Sequence, residues 1–323
     1  MGAPWITFRP ELKVLDCTIR DGGLINNHQF EDDFVRGVYQ TCVEAGVDYM
    51  ELGYKNSESI FSRQKNGDWR FCREDDIRRI VGDNETDLKL CAMIDAGKTN
   101  WKNDVAPKSQ SILDVIRVAF YVDQVSEAVD MINDSHSKGY EVWANLMAAS
   151  TAKEIEIDQS LDTLANTPAS VFVVVDSFGS MYGEQIENLV KKYLKYGQQS
   201  GKEVGIHAHN NQQLAFSNSI GAIIHGASRI DASIGGLGRG AGNCPMELLL
   251  GFLRNPKFKL RPIYSALEQY LLPLKKKIEW GPYPEYIIAG QFNQHPRNAI
   301  EARENPETRN KYLEFFDRLA NEV

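Results

Sequence analysis

The chain has 323 residues, with 36 Lys and Arg against 44 Asp and Glu for a formal net charge of -8. That length can bury a large core as one barrel with an appendage or as two domains, and the acidic balance offers no basic face for nucleic acid, so an anionic ligand would need local capture. Five cysteines outside any Cys-x-x-Cys or zinc-finger spacing read as the reduced thiols of a cytoplasmic protein, the opening MGAPWITFRP lacks the features of an export signal, and no apolar run reaches the roughly 20 residues that span a bilayer.

In chain order, the apolar β-branched runs are KVLDCTI (13–19), DYMEL (48–52), LKLCAMI (88–94), DVIRVAF (114–120), YEVWANLM (140–147), SVFVVVD (170–176), EVGIHAH (203–209) and RIDASI (229–234). Each predicts a strand, which makes eight. Helix-like stretches over 32–45, 124–138, 183–199 and 211–226 lie between them, and Gly46, Gly139 and Gly226 stand where left-handed helix stops are expected. Strands apolar on both faces and spaced by helices predict a parallel sheet covered on both sides. Eight such units in about 240 residues predict a closed (β/α)8 TIM barrel rather than an open doubly wound sheet. From residue 261 the pattern changes to helices around a Pro/Gly-broken segment, which predicts a barrel over 1–260 and a helical C-terminal extension over 261–323.

A barrel gathers its chemistry at the C-terminal ends of its strands. The first predicted strand ends in Arg20 and Asp21, the second carries Glu51, the sixth runs into Asp176 and Ser177, and the seventh carries His207 and His209. Residues two apart on a strand face the same way, so both imidazoles are expected on one side. A hydrogen-bonded core histidine is the simpler account of any lone histidine. A pair at a strand end facing Asp21 instead favours a divalent cation, and two neutral nitrogens with one carboxylate suit manganese, iron, cobalt or zinc better than magnesium. Arg20 offers a planar fork to an oxyanion, while Gly22 and Gly23 are expected to let substrate approach the backbone closely. Taken alone, that tetrapeptide is equally compatible with an Arg–Asp pair in a surface loop.

Two other readings are weaker. GGLGRGA after the eighth strand satisfies a loose dinucleotide pattern, but LRPIYS stands where an acidic residue about 20 positions on would be needed. Two histidines and a carboxylate also suit a non-haem iron oxygenase, against which the eight strand–helix units argue.

Taken together and in order, LDCTIRDGG, MELGY, VVVDSFGSM, GIHAHNN and RIDASIGGLGRGAGNCPMELLL resemble the DRE-TIM metallolyase superfamily, in particular its 4-hydroxy-2-oxovalerate aldolases, over about three quarters of the chain from Val14 to Leu253. The resemblance implies an enzyme that cleaves a 4-hydroxy-2-oxo acid to pyruvate and an aldehyde by way of a pyruvate enolate. It implies Asp21, His207 and His209 as ligands of a divalent metal, usually Mn2+, with Mg2+, Co2+ or Zn2+ as alternatives, and Asn243 as a further ligand, as in the hydroxymethylglutaryl-CoA lyases. By the same resemblance Arg20 steadies the enolate oxygen, Glu51 braces Arg20, and Ser177 holds the pyruvate carboxylate. Two positions depart from the aldolases: Leu24 stands where they carry a base histidine, and Phe292 where their C-terminal region supplies a tyrosine. Neither side chain moves a proton. His28, Tyr54 and His295 are the substitute shuttles, although a structural role is the simpler account of each.

The superfamily's acyl-CoA condensing enzymes carry an acidic residue after Arg-Asp-Gly and Asn-Asp after His-x-His, where this chain has Gly23 and Asn210-Asn211. An acyl-CoA lyase or condensing enzyme therefore ranks behind the aldolase reading, as does a metal-binding protein that has lost catalysis. The expected partners are a small 2-oxo acid and an aldehyde, with neither nucleic acid nor membrane, and a homo-oligomer is compatible with the sequence. The short extension gives no ground for the dehydrogenase that can dock on the aldolases.

Overall fold

A computed structural model describes residues 9–321; residues 1–8, on which the reading of the N-terminus largely rests, lie outside it. The strands are β1 (Lys13–Asp16), β2 (Tyr49–Tyr54), β3 (Lys89–Asp95), β4 (Val115–Phe120), β5 (Glu141–Leu146), β6 (Val171–Asp176), β7 (Glu203–Ala208) and β8 (Arg229–Ala232). They pair in parallel in sequence order, and β8 closes on β1 with Asp231 opposite Leu15. The expected (β/α)8 barrel is therefore present. Alternation along each strand sorts the side chains. Val14, Met50, Leu90, Ile116 and Phe172 face outward to the helices, while Leu15, Tyr49, Cys91, Val115, Trp143 and Val173 pack along the axis. All five cysteines are buried and unpaired.

Helices Asp32–Ala45, Val125–Ser137, Gly183–Ser200 and Ala215–His225 fill the expected intervals. The last begins later than its periodicity suggests, because Asn210 Oδ1 accepts the Ala215 N–H at 3.1 Å and holds the preceding residues in a turn. The first strand is the larger correction. It ends at Asp16, whose carboxylate accepts from the Thr18 backbone N–H at 3.1 Å and the Thr18 hydroxyl at 2.6 Å. That local competition with the ladder turns the chain into a single helical turn, Thr18–Gly22, so Arg20 and Asp21 sit on a turn above the barrel rather than on a strand end.

After β8, Ile263, Ala266 and Leu271 pack into the apolar layer around the barrel. Helices Pro284–Gln291, Arg297–Glu304 and Tyr312–Ala320 build a second cluster through Tyr286, Ala289, Ala299, Ala302, Phe315 and Leu319. Ala241, from the loop after β8, belongs to that cluster and ties the extension to the mouth of the barrel. Among the described residues no helix is long and apolar enough to cross a membrane.

Candidate active site

The helical turn after β1 lays Arg20 and Asp21 over side chains rising from four strands. Arg20 Nε donates to Glu51 Oε2 of β2 at 2.6 Å, and the same oxygen accepts from Arg117 Nη1 of β4 at 3.0 Å. Arg117 Nη2 donates to Asp231 Oδ2 of β8 at 2.6 Å, which in turn lies 3.0 Å from His207 Nδ1 of β7. His207 Nε2 is 3.2 Å from Asp21 Oδ2, and that oxygen is 3.4 Å from Arg20 Nη1. Six side chains thus close a ring, none more than 4% exposed. Burying an ion costs several kcal/mol unless an opposite charge and hydrogen bonds compensate, and here every charge meets one. With His207 protonated, two arginines and one histidine balance three carboxylates.

His209 follows β7 directly, with Nε2 3.5 Å from Asp21 Oδ2 and its backbone bridged to Asn243. Asn243 Nδ2 donates to the Leu237 carbonyl at 3.3 Å, while its Oδ1 is buried without a partner. Burial pushes the Asp21 carboxyl up, but His209, Arg20 and His207 outweigh it and hold the group well below the usual carboxylate range. Burial pulls His207 down, yet its hydrogen bonds to Asp21 and Asp231 leave it above its ordinary value. For His209 burial prevails, and the ring stays neutral. When His207 is protonated, its Nε2–H fills the gap beside Asp21, and a cation entering there would displace that proton. Asp231 orients His207 through Nδ1, the usual arrangement behind a metal-ligating imidazole. Two nitrogens, a carboxylate and an orphaned amide oxygen fit a divalent cation. Cys17 was not expected in this group, yet it offers a ligand atom within 4.8 Å of those of Asp21 and His207. Its Sγ donates to the Ala232 carbonyl at 3.3 Å, and burial pushes the thiol well above its usual value, so it remains a thiol rather than the thiolate that binds metal.

Beside these groups lies a cavity of about 60 Å³, room for a compact molecule. Arg20, His207, His209 and Ser177 line it, whereas Glu51 stands behind Arg20. Ser177 Oγ accepts the Ala148 N–H at 2.8 Å, which leaves its own hydroxyl hydrogen free to donate. The opposite wall is apolar: Leu24 packs with Tyr54, Met93, Ala119 and Met147. Leu24 also lines an outer cavity of about 290 Å³ beneath the extension, shared with Tyr286 and Arg303.

Of the three substitute proton carriers, Tyr54 alone lines the inner cavity, and burial raises its phenol so that it keeps its proton. His28 turns its Nε2 to Arg70 Nη1 at 3.0 Å. His295 meets Phe178 edge to face, accepts the Arg297 N–H at 3.0 Å, and is drawn down by burial to about 4. Phe292 packs on Phe316 in the extension, away from the inner cavity. The paired glycines also differ from expectation. A Cβ on Gly22 would lie 2.7 Å from Leu237 Cδ2, and one on Gly23 would lie 2.1 Å from His28 Nδ1, so they make room for neighbouring side chains rather than for a substrate.

Four residues of this site went unread in the sequence: Arg117, Asp231, Asn145 and Arg239. Arg117 and Asp231 do leave a signal: Arg117 is the one charge in the apolar run of β4, and Asp231 sits with Arg229 at the axis-facing parity of β8. Asn145 occupies an inward position of β5, and Arg239 belongs to a glycine-rich loop without periodic pattern; both line the inner cavity.

A family model described as HMGL-like matches residues 11–267. A protein of Pelotomaculum thermopropionicum named 4-hydroxy-2-oxovalerate aldolase is 29% identical over 251 residues, which cover 78% of this chain and 72% of that one. Among solved structures, the N-terminal domain of a Bacteroides vulgatus protein provisionally described as an aldolase superposes with a TM-score of 0.77 at 28% identity, covering 92% of this chain and 98% of that one. The hydroxymethylglutaryl-CoA lyase of Brucella melitensis shares the fold, with a TM-score of 0.65 at 15% identity over 82% of this chain and 99% of that one.

Proposed function

The chain belongs to the HMGL-like family, and from that premise we propose that it is a divalent-metal-dependent aldolase, cleaving or forming a carbon–carbon bond of a 4-hydroxy-2-oxo acid by way of a pyruvate enolate. The observation that carries the reading is the approach of His207 and His209 to one oxygen of Asp21, at 3.2 and 3.5 Å, beside the guanidinium of Arg20. The relative named 4-hydroxy-2-oxovalerate aldolase supports the substrate class. The chemistry is assigned to the barrel over 1–260; of the extension over 261–323, the first helices pack on the barrel's outer layer and the later ones cluster with Ala241 beside its mouth.

Asp21, His207 and His209 would hold the cation, with Asn243 Oδ1 as a fourth donor; Mn2+ is the first choice. Bound there, it supplies Lewis-acid charge to a carbonyl oxygen. Arg20 contributes a second positive charge. Glu51 clamps Nε, so the guanidinium is already in position when negative charge develops on the enolate oxygen, and no reorganisation is spent at that moment. Ser177 donates its free hydroxyl hydrogen to the substrate carboxylate. The wall of Leu24, Met93, Ala119 and Met147 keeps water from the enolate, and Tyr54 is the proton carrier within reach of the cavity. None of these groups is a ready base for the 4-hydroxyl, because Leu24 occupies the position of the aldolases' histidine.

The reading thus separates two steps. Mn2+-loaded protein should exchange the methyl protons of pyruvate for deuterium, followed by proton NMR in heavy water, while cleavage of 4-hydroxy-2-oxovalerate runs about 10²–10⁴-fold below that of a site with its base. Metal-loaded protein that shows no exchange would rule out pyruvate as the enolate and leave a different lyase substrate or a non-catalytic role.

A further inference from the structure

We infer that Arg239 binds the carboxylate of a 2-oxo acid and makes the inner cavity selective for acids over their uncharged derivatives. The inference rests on the proposed aldolase reading for its substrate and on the following geometry for its residue.

Arg239 lies in the loop after β8, and its backbone N–H donates to Asp21 Oδ1 at 3.3 Å, which fixes the loop against the mouth. Its Nη2 donates to the Ser177 carbonyl at 2.8 Å and so brings the guanidinium to the serine proposed to hold the carboxylate. Arg239 Nε is buried and has no hydrogen-bond partner. Two guanidinium groups line this cavity, and they differ in one respect. Arg20 is paired with Glu51 and Asp21, whereas no carboxylate among the described residues lies within ion-pair distance of Arg239.

A partly desolvated guanidinium without a counter-charge is costly, and its planar fork of donors matches the two oxygens of a carboxylate. Arg239 lines a space that has room for a small molecule. An acid seated there pairs Arg239. An ester or amide of the same acid leaves it unpaired, the kind of mismatch that a polar site rejects most strongly.

Mn2+-loaded full-length protein, Arg239→Gln and Arg239→Lys are titrated with pyruvate and with pyruvamide by calorimetry, and exchange is followed at saturating pyruvate. A charge-assisted hydrogen bond of this kind is expected to account for roughly 10- to 100-fold in affinity. Arg239→Gln should weaken pyruvate by that factor while pyruvamide is unaffected, and Arg239→Lys should recover part of the loss. Equal pyruvate affinity in wild type and Arg239→Gln overturns the inference. Loss of affinity in Arg239→Gln when wild type exchanges no protons keeps the carboxylate site and removes the aldolase reading, and wild type that binds neither probe overturns both.

Discussion

The two sides of the cavity obey different rules. On the side of β1, β7 and β8, Arg20, Asp21 and His207 belong to a closed circuit in which each charge has its partner. On the other side, Leu24, Met93, Ala119 and Met147 meet through apolar contact alone. The charged side is equipped to stabilise an anion at fixed coordinates, and the apolar side to enclose a carbon chain without specifying it. Set against the aldolases that the motifs resemble, the difference is one of completeness: every position proposed for holding an enolate carries a matching residue, whereas Leu24 stands at the position proposed for proton delivery.

The largest effect that tests this contrast lies beneath the charged side. Arg117→Met leaves Glu51 and Asp231 each short of a partner inside the barrel and should lower the unfolding free energy by about 3–5 kcal/mol, read from urea denaturation. A loss below about 1 kcal/mol would mean that the circuit does not brace the barrel. Next comes Arg20→Lys, which keeps the charge but not the fork. Proton exchange on pyruvate should slow on the order of 10²-fold with metal content unchanged by elemental analysis; undiminished exchange would return Arg20 to a purely structural role. The smallest change concerns the apolar side. Leu24→His should raise cleavage relative to exchange by about tenfold, short of the 10²–10⁴-fold of a fitted base, because Met93 and Met147 offer the new imidazole nothing to orient it. A coupled pyruvate assay measures cleavage, and equal gains in both steps would show that Leu24 does not stand where the base is needed.

Much of this was legible before any coordinates. Strand count and helix spacing report the barrel, because burial on both strand faces and the parallel crossover constrain composition over long stretches. His207 and His209 were legible because period-two geometry is local. The turn at Thr18–Gly22 was not, since it depends on the Asp16 carboxylate outcompeting a ladder, a contest between one side chain and the backbone that hydropathy does not register. Arg117 is visible as a charge in an apolar strand, but its partnership with Asp231 joins positions 114 residues apart. Arg239 carried no periodic signal at all, and only the folded loop shows that it faces the cavity without a counter-ion.

The circuit also has a bearing on inheritance. Each of its six members touches two others, so a neutralising substitution at one strands a charge at its neighbours, and acceptable change has to arrive at two or more positions together. The apolar wall carries no such debt, since volume-conserving exchanges at its Leu and Met positions usually cost under about 1.5 kcal/mol. Lineages descending from this sequence can therefore wander at Leu24, Met93 and Met147 one step at a time while Arg20, Glu51, Arg117, Asp231, His207 and Asp21 move in concert or stay put. Randomised libraries confined to the wall should accordingly yield folded proteins far more often than libraries of equal size aimed at the circuit.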